Sequence, residues 1–212
     1  SKSPGQSERI GALRVVIAMT AVYSLLFVMA QMHRMGGAVI APAMTAELAL
    51  SAGDMGLIIG AMFLASAMTQ PISGILLDRV GPVRAVAYLS PLCILGMVLF
   101  AWSDEVWSLT LARMMIGSGF ACVVSGIYVF LLSWVARENF TTAAAMIQAI
   151  PGTLSVLIAT TPLAILLDDP GRGYVFSGLA VMTAVIIALV CLSVREGPRS
   201  TRKQRAPQTL AN

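Results

Sequence analysis

"GILLDRVGPVRAV", residues 74–86, is a short polar break between two long apolar segments. Asp78 and Arg79 end the first segment, and Gly81 permits a tight reversal because glycine adopts backbone conformations that other residues avoid. Pro82 suits the first turn of a helix, where its missing N–H costs no hydrogen bond. The stretch therefore predicts two helices that run in opposite directions with almost no loop between them.

Apolar segments of this kind recur along the whole chain. Hydrophobic residues make up 58% and charged residues 11% of the 212 positions, whereas soluble domains carry roughly 25% charged residues. Each apolar segment has about 20 residues or more, enough to cross the hydrocarbon core of a bilayer as a helix. Residues 15–30 show no alternation of apolar and polar side chains, which argues against a β-barrel. The predicted spans are 13–44, 52–77, 82–102, 106–135, 140–167 and 172–194.

The predicted fold class is therefore an all-α membrane protein with six transmembrane helices. Residues 1–12 would form a cytoplasmic segment, 13–194 the helix bundle and 195–212 a basic cytoplasmic tail. Lys and Arg near membrane helices are retained on the cytoplasmic side, so both termini are expected in the cytoplasm, at the plasma (inner) membrane. In that orientation Arg172 is the one basic residue of the outer loops. The basic residues of the inner segments are Lys2, Arg9, Arg14, Arg79, Arg84, Arg137, Arg195, Arg199, Arg202, Lys203 and Arg205.

The loop at 74–86 also resembles the signature of the major facilitator superfamily, G-x-L-x-D-R-x-G-x-x-R. In the fourth span, Arg113, Gly117 and Gly119 are similar to the family's R-x-x-x-G-x-G pattern. The resemblance implies a secondary transporter with alternating access, of which this chain corresponds to the amino-terminal six-helix half. It also implies that a second six-helix bundle completes the substrate cavity. The loop residues that match are Gly74, Leu76, Asp78, Arg79, Gly81 and Arg84.

An internal repeat supports the same architecture. "ILLDRVG" at 75–81 recurs as "ILLDDPG" at 165–171, each at the end of the second span of a three-helix unit. An odd number of helices per unit requires the two copies to cross the membrane in opposite directions. The pattern predicts an inverted three-plus-three repeat.

Two arginines lie away from the ends of the predicted spans, Arg34 late in the first and Arg113 early in the fourth. A charged side chain at the centre of a membrane helix costs about 2.5–3.5 kcal/mol on insertion scales, so it needs a partner or a wet cavity. Every acidic residue falls in a loop, a tail or a helix end. One hypothesis is that both arginines face a central cavity and bind an anionic solute through a carboxylate or phosphate group. The alternatives are snorkelling toward the surface, bonds to backbone carbonyls, and a carboxylate from the second bundle.

Four further polar residues are candidates for the same cavity. Gln31, Gln70 and Gln148 either bind solute or form hydrogen bonds between helices. His33 is either bonded to the backbone or a proton relay. For each residue, the spacing along the chain leaves both roles open.

The loop motif and several glycines have expected roles in motion and packing. We expect Asp78, Arg79 and Arg84, with Gly74 and Gly81, to form a cytoplasmic latch between two global states. The alternative is a plain helix cap with solvated charges. Small residues permit close helix packing in membranes, and we expect this of Gly56, Gly60, Gly117 and Gly119. A capping box is expected before the second span, from Ser51 and Asp54.

The sequence offers no support for catalysis. It contains no phosphate-binding glycine loop, no nucleophile signature and no His/Cys/carboxylate cluster, so we expect neither an enzyme nor a bound metal or cofactor. The basic tail obeys the positive-inside bias, and nucleic acid is therefore not an expected partner.

The resulting prediction is half of a transporter that moves a small, anionic organic solute, with a proton or another ion as coupling partner. Its partners would be the lipid bilayer and a second six-helix bundle, either a missing carboxy-terminal half or a homodimer mate. The chain is then a fragment, a separately encoded half or a self-pairing protein. The alternative function is a non-transporting membrane scaffold or assembly factor derived from such a half.

Overall fold

A computed structural model describes residues 6–135, 137–159 and 172–193. This part of the chain forms six α-helices, each long and apolar enough to cross a membrane, and it contains no strand. The predicted all-α, six-helix membrane fold is confirmed. Residues 160–167 of the fifth predicted span, the second repeat copy at 165–171 and the tail at 195–212 lie outside the described residues. The helices are α1 (Gln6–Leu48), α2 (Ala52–Val80), α3 (Pro82–Trp102), α4 (Val106–Trp134), α5 (Arg137–Ala159) and α6 (Arg172–Ser193).

The first helix is longer than its apolar segment predicted. It begins at Gln6 and continues through Pro42 to Leu48, whereas the predicted span covers 13–44. Internal prolines also occur in α2, α3 and α5. Membrane helices tolerate proline because neighbouring groups can satisfy the backbone carbonyl that it leaves free.

The junctions between helices follow from their local chemistry. Gly81 alone separates α2 from α3, with φ at 90°, a conformation that favours glycine, and Pro82 occupies the first turn of α3. Before α2, the hydroxyl of Ser51 accepts a hydrogen bond from the backbone N–H of Asp54 at 3.2 Å. The Asp54 carboxylate accepts one from the Ser51 N–H at 3.0 Å, so the expected capping box is present.

The helix contacts have the symmetry of the predicted inverted repeat. Helix α1 packs against α5 and α6, and the corresponding helix α4 packs against α2 and α3. Exchanging α1 with α4, α2 with α5 and α3 with α6 converts each of these contacts into another that is present. Helices α1 and α4 also touch each other, as do α3 and α6. Two three-helix units therefore pack with α1 and α4 at the centre.

Glycines let α4 lie directly against α2 and α3. A Cβ at Gly117 would overlap the backbone of Met62 in α2, and one at Gly119 would overlap the backbone of Cys93 in α3. Residues two apart in a helix point about 200° apart, so the two glycines serve opposite neighbours. On α3, a Cβ at Gly96 would come within 2.8 Å of the Ala112 carbonyl oxygen of α4. Small residues on both helices thus allow the backbones to approach.

Gly56 and Gly60, which we expected to allow close helix packing, have no close neighbour in the described part of the chain, and neither has Gly74. A Cβ at Gly56, Gly60 or Gly74 would meet no atom within 4 Å in the described part of the chain. All three lie on exposed positions of α2. The GxxxG spacing of Gly56 and Gly60 places them on one helix face, but no described residue packs against that face.

Charges separate between the two ends of the bundle. One end, called here the acidic end, carries Glu47, Asp54, Asp104 and Glu105 at the helix termini. The other, called here the basic end, carries Arg79, Arg84 and Arg137, together with Asp78 and Glu138. Three of the exposed aromatic residues lie at the acidic end, as expected where a membrane helix meets the headgroups. They are Trp102, Trp107 and Tyr174.

Candidate functional site

A row of polar side chains crosses four helices in an otherwise apolar bundle. Thr69 donates a hydrogen bond to Ser118 at 3.0 Å, and the Gln70 amide nitrogen donates to the Ala121 carbonyl at 3.3 Å. Ser125 donates to the Gln70 side-chain oxygen at 3.5 Å. Further along, Tyr128 of α4 donates to the Gln148 side-chain oxygen of α5 at 3.0 Å. We call this row the polar seam: Arg34, Ser66, Thr69, Gln70, Ser118, Ser125, Tyr128 and Gln148.

The spacing within each helix makes the seam continuous. Its members on α2 and on α4 are separated mainly by three, four or seven positions, which keeps them on one face of each helix. Gln70 and Gln148 are exposed, and most other members are half-buried. Lipid cannot hydrogen-bond such groups, so in a membrane the seam requires protein or water in front of it.

Arg34 is the one cation of the seam. It is half-buried in α1, and its Nη2 donates to the Ser66 hydroxyl of α2 at 3.4 Å. Among the residues that the structure describes, no carboxylate forms an ion pair with it. The guanidinium therefore keeps donors available for an oxygen-rich ligand.

Arg113 lies in a different environment, inside the bundle. Only 2% of its surface is exposed, and the centre of its guanidinium lies 4.4 Å from the centre of the Phe100 ring in α3. Its Nη1 donates a long hydrogen bond of 3.4 Å to the His33 carbonyl oxygen. Its Nε and Nη2 have no partner in the described chain. The structure therefore does not bring Arg113 to the polar seam, because its side chain extends toward α3 and α6.

His33 and Gln31 also lie off the seam. His33 is buried, with Nδ1 2.9 Å from the Met29 carbonyl oxygen and its ring against Phe120 and Phe176. Since a carbonyl only accepts, Nδ1 carries the proton and a neutral His33 has an unprotonated Nε2. Gln31 is half-buried, and its side-chain oxygen has no partner within the described ranges. Of the four predicted polar candidates, the structure places Gln70 and Gln148 on the seam.

The two arginines are nevertheless at neighbouring depths. Arg113 contacts the sulfur of Met62 in α2 at 3.9 Å, and Arg34 contacts Ser66 four residues further along the same helix. Four residues correspond to about 6 Å along a helix axis. Arg34 and Arg113 therefore lie at similar depths, nearer the acidic end, but on different sides of the bundle.

The latch residues gather at the α2–α3 junction. Asp78, Arg79 and Arg84 are exposed at the basic end, and the Gly81 N–H bonds the Leu77 carbonyl to close α2. The junction is thus a one-residue turn with charged side chains exposed around it.

Arg172 is a buried cation, and sequence reasoning missed its role. It donates to the Phe100 carbonyl at 2.8 Å, the Ser103 carbonyl at 2.5 Å and the Asp104 carboxylate at 2.6 Å. It also lies 3.5 Å from Glu47. Arg172 therefore connects the start of α6 to the ends of α1 and α3. The signal was present in the sequence, since a lone cation among the acidic residues at one end of the predicted spans favours an ion pair.

The seam hydroxyls were missed for another reason. Ser66, Thr69, Ser118 and Ser125 are small and sit within strongly apolar segments. Their spacing of three to seven residues was a usable signal for a polar helix face.

The fold and its seam define an integral membrane protein built as an inverted repeat of membrane helices. The sequence profile described as Major Facilitator Superfamily matches residues 22–211, which is most of the chain. The protein therefore belongs to the major facilitator superfamily of membrane transporters. A search of curated proteins gave no match. Family membership favours transport over the scaffold alternative.

Proposed function

We propose that this bundle is one half of a secondary transporter for a small anionic organic solute. The polar seam would face a second six-helix bundle across a water-filled cavity, and the two bundles would rock between inward-open and outward-open states. The observation that carries the proposal is the seam itself, with Arg34 as a cation that lacks a carboxylate partner in the described chain.

The distribution of charge supports an anion over a cation as the solute. Acidic residues of the described helices lie at their ends, whereas Arg34 lies within a span. A guanidinium binds carboxylate or phosphate through paired, charge-assisted hydrogen bonds. Gln70 and Gln148 would complete the solute's hydrogen bonds. Arg113 and His33, which were candidates for the same cavity, are assigned no solute contact because both are buried away from the seam.

The unoccupied face of α2 supports a second bundle as partner. Gly56, Gly60 and Gly74 leave this helix without side-chain bulk where no described residue approaches. Such a face suits close approach of another helix. The second bundle would come from further sequence of the same protein, from a separate chain or from a second copy.

Orientation follows from the charges at the two ends. The basic end, with Arg79, Arg84 and Arg137, would face the cytoplasm according to the positive-inside rule. Both termini would then be cytoplasmic in the plasma (inner) membrane. The coupling ion is a proton or another small ion.

The proposal predicts a loss of anion uptake when Arg34 loses its charge. We expect Arg34→Gln to reduce uptake about 10- to 100-fold, because charge-assisted hydrogen bonds contribute about 1.5–3 kcal/mol and 1.4 kcal/mol corresponds to tenfold. The measurement is uptake of radiolabelled small carboxylates and inorganic phosphate by membranes that contain the complete transporter. Arg137→Gln, which removes an exposed charge at the basic end, is the matched control. Wild-type anion uptake by Arg34→Gln at equal protein level would contradict the proposal.

A second proposal concerns the loop at the α2–α3 junction. Asp78 would pair with an arginine or with the amino end of a neighbouring helix in one global state, and this contact would break in the other. Arg79, Arg84 and the Gly81 turn would hold the charges in place. Such a latch biases the two states without touching the solute.

For this latch we expect Asp78→Asn to lower the turnover rate several-fold and to leave solute binding within about twofold, because a contact between states carries a coupling free energy of about 1–3 kcal/mol. Uptake rate and equilibrium binding are measured on the same preparation. Glu138→Gln removes an exposed carboxylate from the same end and serves as control. Equal losses of binding and turnover would exclude the latch.

A further inference from the structure

A small cavity lies beside Arg113, on the opposite side of α1 and α4 from the polar seam. Its walls are Met32, His33 and Ile40 of α1, Arg113 of α4, and Phe176 and Leu179 of α6. Its free volume of about 10 Å³ is on the scale of one water molecule or one monatomic ion. Apart from Arg113 and His33, these walls are apolar.

Arg113 enters this cavity with an uncompensated charge. A guanidinium keeps its positive charge at neutral pH, and an unpaired buried ion costs several kcal/mol. The ring of Phe100 at 4.4 Å offsets part of that cost. Even so, Nε and Nη2 have no acceptor, and no carboxylate in the described ranges pairs with the side chain.

His33 does not supply the missing negative charge. Its Nδ1 proton is committed to the Met29 carbonyl, and its buried Nε2 has no partner among the described residues. A neutral imidazole adds no counter-charge. The group that recognises a ligand here is therefore the guanidinium.

We propose that this cavity binds one small monovalent inorganic anion, such as chloride, as a resident counter-ion of Arg113. The cavity is too small for an organic carboxylate, and it is separated from the seam by α1 and α4. The ion neutralises Arg113 and stabilises the packing of α1, α4 and α6. This inference does not depend on the identity or the charge of the transported solute.

The test measures the thermal stability of the purified complete protein in chloride and in gluconate at constant ionic strength. Ligand binding to the folded state raises the melting temperature in a saturable way. We expect chloride to raise it by about 5 °C at a hundredfold excess over its dissociation constant. Bromide should act like chloride, and gluconate, which is too large for the cavity, should have no effect.

Variants decide where the ion binds. Arg113→Gln should abolish the chloride effect, and Arg34→Gln, the same change at the arginine of the seam, should retain it. Leu179→Phe keeps Arg113 but fills the cavity, and it should weaken chloride binding at least tenfold even if Arg113→Gln does not fold. The proposal is overturned if chloride and gluconate stabilise equally, if both cavity variants keep the effect, or if Arg34→Gln loses it.

Discussion

Gly119→Leu is expected to prevent formation of a stable bundle. A Cβ at this position would overlap the backbone nitrogen and Cα of Cys93, and a helix backbone cannot move aside as a flexible side chain can. The substitution must separate α3 from α4, which form the most extensive helix contact of the described chain. We expect a loss of more than about 4 kcal/mol of unfolding free energy. This is close to the whole stability of many proteins, so folded protein should be nearly absent after detergent extraction.

The matched control is Gly178→Leu. Gly178 is exposed on α6, and a Cβ there would meet no atom within 4 Å in the part of the chain that the structure describes. Leucine is the better helix former by about 1 kcal/mol, so this variant should be as stable as wild type or slightly more so. Size-exclusion chromatography and thermal melts compare the two proteins. A Gly119→Leu variant that folds and melts like Gly178→Leu would show that α3 and α4 do not pack as described.

Much of the fold follows from the sequence because membrane helices are specified locally. Apolar length sets each span, and turn residues such as Gly81 and Pro82 set the α2–α3 junction without reference to distant parts of the chain. The capping box of Ser51 and Asp54 is equally local. The predicted first span stops where the apolar run ends, whereas α1 continues to Leu48, because a membrane helix can extend beyond its apolar segment.

The candidate site was less predictable because it depends on how each helix is rotated. His33 and Arg34 are adjacent in sequence and about 100° apart on the helix, and this angle places one inside the bundle and the other on the seam. Sequence spacing identified Arg34 and Arg113 as unusual, but the sides that they face are set by packing of α1 and α4 against their neighbours. For the same reason, the sequence identified the GxxxG face of Gly56 and Gly60 but could not show that no described residue packs against it.

The central claim is that the polar seam lines a water-filled path whereas the peripheral faces meet lipid. Cysteine accessibility separates these two environments, because hydrophilic thiol reagents react with the thiolate, which forms in water and not in hydrocarbon. Gln70→Cys and Gln148→Cys place a thiol on exposed seam positions of α2 and α5. Leu95→Cys places one on an exposed position of α3, well inside its span, as the matched control. Cys191, the exposed native cysteine, is first changed to serine, and the buried Cys93 and Cys122 are kept.

The decisive measurement is the extent of labelling of these three variants by a membrane-impermeant maleimide, in native membranes and with the complete transporter. The account predicts at least tenfold faster labelling at positions 70 and 148 than at position 95, and protection of both by an anionic solute that is transported. Labelling at positions 70 and 148 that is as slow as at position 95 would place the seam against lipid or dry protein and would contradict the account.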